Sequence, residues 1–128
     1  MTQIKFRGFR VDGKGWVEGY YVYRPDGKHL IYWKPFPEST NNTYHEIHPS
    51  SLGMFTGLHD KNGKEIYGAI GDKGGDITDE GIVFYSTDYL GFFIRTNESN
   101  GIGNNCNPLY DFPSIEIIGN QFEQDNGK

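Results

Sequence analysis

Apolar and polar positions alternate along much of this chain with a period of two, in short runs. Ile4, Lys5, Phe6 and Arg7 set apolar residues on one face and cations on the other, which predicts a strand over 4–11. Asp12-Gly13 marks a turn, and Trp16 to Tyr23 reads as the returning strand. Pro25-Asp26-Gly27-Lys28 makes the next turn, with Pro where type I and II turns favour it. A short, almost continuously apolar strand follows over 29–33, completing a three-stranded N-terminal β meander. Pro35 and Pro37 break the pattern and predict an exposed loop over 34–44, then a short strand over 44–48.

The stretch 54–68 holds the clearest signal, two apolar-bearing runs around Asn62-Gly63. A two-residue loop would pair Lys61 with Lys64 and Asp60 with Glu65, setting like charges opposite one another. A type I turn from Asp60 to Gly63, with Gly63 left-handed as a bulge, pairs Asp60 with Lys64 and Leu58 with Ile66 instead. The second register is the one expected, with Asp60, Asn62, Gly63 and Lys64 as its structural turn. Beyond it, 68–80 is rich in glycine and aspartate and reads as too flexible and polar for a buried element. Strands are expected over 81–85 and 91–96, with a turn at Ser86 to Tyr89. Residues 97–107 read as the least structured part, with a helical turn near 109–112. Residues 115–123 are expected to close the sheet, and the last five to fray.

Composition sharpens the fold class. Of the 45 apolar residues, 36 are Ile, Val, Phe, Tyr or Trp, and the chain has a single alanine. That choice favours strands and argues against more than one short helix. The 128 residues suit one domain, expected to be mainly β with antiparallel strands.

Three stretches carry a family resemblance. Phe55-Thr56-Gly57-Leu58-His59-Asp60-Lys61-Asn62-Gly63-Lys64-Glu65-Ile66-Tyr67 resembles the signature of the YopX family of small phage and prophage proteins. There a Tyr-Thr-Gly-Leu run leads into Asp-Lys-Asn-Gly-Lys and then Ile-Tyr-Glu-Gly-Asp. Ile4-Lys5-Phe6-Arg7 is similar to that family's opening strand, and Ile115-Glu116-Ile117-Ile118-Gly119-Asn120 to its closing Glu-Val-Ile-Gly-Asn. One departure is an insertion at 69–74, which displaces the Gly-Asp-Ile step to Gly75-Asp76-Ile77. The resemblance implies a single YopX-like β domain over 1–128. A small SH3-like barrel core would occupy 50–123, with the 1–34 meander packed on it or on another copy. It also implies a phage-type protein with no established activity, here expected to be a non-catalytic accessory or interaction protein rather than an enzyme.

Charge bears on partners. The net charge of −5 divides into +4 over residues 1–34 and −9 over the rest. This asymmetry leaves room for a basic face on Lys5, Arg7, Arg10, Lys14, Arg24 and Lys28, interleaved with Tyr20, Tyr21, Tyr23 and Trp33. Cations for phosphates beside rings for bases is the mix of single-strand binders. The bland reading is that the rings build core and the cations are the wet face of the same strands. The alternative function is thus a nucleic-acid-binding module. Exposed strand edges need cover, so a homo-oligomer is expected.

Other chemistries are weaker. His45 and His48 lie three apart, on opposite faces of a strand, and read as surface histidines rather than a metal site. The stretch 57–64 has five residues between its glycines and Glu65 where a phosphate loop needs Ser or Thr. In Asp60-Lys61-Asn62-Gly63 the glycine comes too early for a calcium loop. Asp72, Asp76, Asp79 and Glu80 read as a solvated loop, and Cys106 has no base near it in sequence. No catalytic residue, metal or cofactor is expected. One cysteine excludes an intramolecular disulfide, and no apolar run reaches membrane-span length. Lys5 and Arg7 interrupt what a signal peptide would keep apolar, so a cytoplasmic protein of the bacterial host cell is expected, and Asn41 and Asn97 in glycosylation patterns mean only surface loops.

Overall fold

The computed structural model describes residues 4–33, 44–97 and 104–126. Those residues form eleven strands and one short helix: β1 Phe6–Phe9, β2 Trp16–Tyr23, β3 His29–Tyr32, β4 Tyr44–Glu46, β5 Gly53–His59, β6 Glu65–Ala69, β7 Asp76–Thr78, β8 Ile82–Ser86, β9 Gly91–Asn97, β10 Asn104–Pro108, β11 Ile117–Asn120 and α1 Gln121–Asn126. They build one mixed sheet in the order β10-β9-β8-β6-β5-β1-β2-β3-β4, with β7 paired to β8 and β11 to β7. The β6–β8 pairing is parallel, through Ala69 and Phe84. The chain is mainly β, as its composition predicts.

The sheet is open, ending at β10 and β4, and does not close into the barrel expected over 50–123. The reason is β5, which pairs with β1 as well as β6 and so lets the second half of the chain extend the sheet. The closest approach to closure lies in the first half. There Arg10 bridges Ile47, the Val11 N–H donates to Glu46 and the His48 N–H donates to Phe9, each bond 2.9 Å long. Two hydrophobic cores result. Ile31, Ile47 and Leu52 pack with Phe6, Val17 and Tyr21 inside the meander. Ile66, Val83, Ile94, Leu109 and Ile115 pack with Phe92, Phe112 and Ile117 in the second half.

The hairpin of β5 and β6 has the expected turn. Gly63 is left-handed (φ 86°), its N–H donates to the Asp60 carbonyl at 3.0 Å, and His59 opposes Glu65. The expected Leu58–Ile66 pair does not form. The register shifts between Phe55 and His59, around left-handed Gly57, so Leu58 faces solvent while Ile66 is buried.

Three further expectations are corrected. Residues 68–80 are not a solvated loop: Gly74, Gly75, Asp76 and Thr78 are buried and β7 lies among them. Backbone bonds pin the segment, with the Ile70 and Gly71 N–H groups donating to Leu52 and that of Lys73 to Ser50. Glycine is needed at 74 because a Cβ there would collide with the Leu52 carbonyl. Within the weakly patterned 97–107 segment, Asn104 to Pro108 form β10 against β9; residues 98–103 lie outside the described set. The closing segment is a strand and then a helix. β11 pairs with β7, and α1 begins at Gln121 and seats Phe122 against Phe9, Trp16 and His48. The 34–44 loop falls outside the described residues except for Tyr44.

Candidate functional site

The outer face of β1 gathers the densest polar chemistry among the described residues. Arg7 donates from Nη2 to Asp76 Oδ1 at 2.7 Å, and the other oxygen of Asp76 accepts the Tyr67 backbone N–H at 2.8 Å. The Arg7 guanidinium lies 4.8 Å from the Trp16 ring centre and 4.6 Å from that of Tyr67, within cation–π range of both. Beside it, Lys5 pairs with Glu65 at 2.8 Å and Glu18 at 3.6 Å, and Glu65 accepts the Tyr67 hydroxyl at 3.3 Å.

The sequence explains the placement. Alternation along β1 turns Phe6 and Gly8 inward, where Ile47 packs so close to Gly8 that a Cβ would clash, and turns Lys5 and Arg7 outward. The β5–β6 hairpin then delivers Glu65 and Tyr67, and the pinned 69–75 segment delivers Asp76.

The electrostatics are those of a neutralised network. Burial pushes the Asp76 carboxyl above its ordinary range, against the pull of Arg7. The hydrogen bond to Glu65 leads in raising the Lys5 ammonium, and burial leads in raising the Tyr67 phenol. With each charge met by its opposite, the cluster holds β1 against β6 and β7.

The six cations marked in the sequence do not converge on one open face. Lys5 and Arg7 are in this cluster, with side chains only 17% and 13% exposed. Arg10 pairs with Asp12 at 2.6 Å and Arg24 with Asp26 at 2.9 Å, both across turns. Lys14 and Lys28 are exposed at the two turns of the meander, where Asp12 and Asp26 accept their backbone N–H groups. The rings divide as well. Tyr21 is partly buried and shares a hydrogen bond with His29, whereas Tyr20 opposes Tyr32, which in turn opposes Tyr44 in a cross-strand row.

Other marked residues are also separated. Asp60 is a turn hub, its carboxylate accepting the N–H groups of Asn62, Lys64 and Ile117. Asp76 is buried on Arg7, while Asp72, Asp79 and Glu80 are exposed, Asp79 capping the Glu116 N–H. Burial, then the Arg10 charge, lowers the affinity of His45 for a proton. Cys106 is exposed on β10, opposite Arg95.

Sequence reasoning missed Trp16, Tyr67 and Asp76 as the partners of Arg7. The only local signal was the period-two step Asp76-Ile77-Thr78 after two glycines, which reads as a loop until the sheet is assembled. It also passed over Tyr89, Leu90 and Tyr110, the most exposed large apolar side chains described, at 77%, 76% and 77%.

Compared with known proteins, residues 5–126 match the family model described as YopX protein. No curated protein and no solved structure matches the chain.

Proposed function

Since the chain belongs to the YopX protein family, we propose that it is a non-catalytic accessory protein of the phage and prophage type that works by binding other protein surfaces. One observation carries this reading: large aromatic and aliphatic side chains stand open to solvent, while four of the six cations marked in the sequence are held by carboxylates. Tyr20, Tyr23, Tyr89, Leu90 and Tyr110 are all more than half exposed, while Lys5, Arg7, Arg10 and Arg24 are bonded to carboxylates. Exposed aromatic residues are the anchors of protein interfaces. In the same reading, β5-β1-β2-β3-β4 is an opened small barrel of SH3-like strand order, supported by the Phe9–Val11 bonds to Glu46 and His48.

A nucleic-acid module would need cations free to release phosphate counterions. The expected outcome is no mobility shift of labelled single-stranded DNA or RNA at low salt and micromolar protein. A shift that is lost when the exposed Lys14 and Lys28 are replaced would overturn the protein-binding reading in favour of the nucleic-acid one.

A further inference from the structure

We propose that the acidic, apolar end of the β8–β10 region docks head-to-tail onto the β2–β3 hairpin of a second copy of this chain. This rests on the protein-binding reading above and names the partner.

The register of the sheet assembles the docking end. Ser86 opposes Gly91, which places Tyr89 and Leu90 at the tip of the β8–β9 hairpin. Pro108 opposes Phe93, whose ring lies 5.6 Å from that of Tyr89, and the chain continues from Pro108 into Tyr110 at the same end. Three large apolar side chains, each about three-quarters exposed, are therefore collected from two separate stretches. Leu90 is left-handed (φ 56°), the one non-glycine residue so placed among those described. A leucine in that conformation is strained where Gly or Asn would be at ease. The tip is held in it by the Ser86–Gly91 pairing and by the Tyr89 N–H donating to Ser86 Oγ at 3.2 Å. Exposed Asp88 and Asp111 flank it.

The complementary surface lies toward the other end of the strand order. Tyr23, 62% exposed, packs against His29 with ring centres 4.7 Å apart and ring planes tilted by 43°. Arg24 and Lys28 rim this patch, and the Arg24–Asp26 pair is solvent-accessible and so can be exchanged for an acid of a neighbour. The charge division of the chain, +4 over 1–34 and −9 beyond, runs in the same sense. Acid-flanked apolar side chains suit a basic aromatic socket and are repelled by anionic membranes and nucleic acids. Since tip and socket are different patches, the contact is heterologous and propagates into rings or filaments.

Light scattering across a concentration series tests this. The wild type is expected to exceed the 14.6 kDa chain mass and to fall toward it at high salt. Two variants break opposite halves: Leu90→Gly with Tyr89→Ser in the tip, and Tyr23→Ser with Lys28→Glu in the socket. Leu90→Gly relieves the backbone, so the tip variant folds, and each variant alone should associate about tenfold more weakly or worse. Mixed together, they should form a one-to-one heterodimer, because each retains the half the other lacks. A wild type that stays monomeric at high concentration, or a mixture that associates no better than either variant alone, overturns the head-to-tail contact. Binding of the tip to lipid vesicles in place of self-association overturns it too. All three results leave the protein-binding reading standing with a different partner, whereas failure of that reading shows separately as a shift in the nucleic-acid assay.

Discussion

Asp60 and Asp76 are both sealed from solvent, at 6% and 2% exposure, and their surroundings drive them in opposite directions. Burial alone would raise Asp60, but the N–H groups of Ile117, Lys64 and Asn62 outweigh it and hold its carboxyl below the usual range. The stability Asp60 contributes is therefore complete above the unfolded carboxylate value near pH ~4 and is lost as pH falls through the lower folded value. In urea titrations, Asp60→Ala should cost about 3 kcal/mol at neutral pH, with the gap narrowing in acid. A gap that stays constant with pH would remove the carboxylate's role. Asp76 has the reverse sign: its folded value is raised, so its charged form is the costly one and stability falls as pH rises through that value. Arg7 limits this cost. Arg7→Met should destabilise by about 3–5 kcal/mol at neutral pH, because it leaves a buried unpaired charge. It should also move the Asp76 carboxyl titration, followed by NMR, further up. An unmoved titration would mean that the pair is not coupled.

At the scale of elements, two short pieces fix how their neighbours sit. The 69–75 segment holds β7 through backbone bonds to Ser50 and Leu52, and Gly75 also donates its N–H to the Gln121 side chain. Gly74→Ala should push β7 away from β1, costing about 1–3 kcal/mol and weakening the Arg7–Asp76 contact. Helix α1 is only six residues long and is held by packing: Phe122 meets Phe9, Trp16 and His48, and Glu123 accepts the Trp16 indole N–H at 2.7 Å. Phe122→Ala should cost about 3 kcal/mol and red-shift tryptophan fluorescence as Trp16 meets water. Unchanged emission would place Trp16 elsewhere.

Across the whole molecule, β5 belongs to both halves of the sheet, and Arg7–Asp76 ties the meander to β7. The two hydrophobic cores should therefore unfold as one unit. Tryptophan emission, which reports the meander and its contact with α1 through Trp16 and Trp33, should coincide in urea with far-ultraviolet dichroism of the whole sheet. In Arg7→Met the two transitions should separate. If they already differ in the wild type, the halves are independent.

Period-two alternation and a β-branched, aromatic composition were enough to determine the all-β class, the meander strands and the Asp60–Gly63 turn, because each depends on neighbours within a few residues. Gly63 shows this best: its left-handed turn follows from local backbone sterics alone. Only the tertiary structure decided what lies far apart in sequence. Residues 68–80 read as solvated because glycines and aspartates usually are, yet long-range pairing buries Asp76 on Arg7, 69 residues away. Leu58 misses Ile66 because a bulge at Gly57 shifts the register. The cations read as a possible face because strand alternation tells which side a residue takes but not which carboxylate meets it there. Whether the strands close into a barrel was likewise beyond local pattern, since it rests on β5 pairing with β1 and β6 at once.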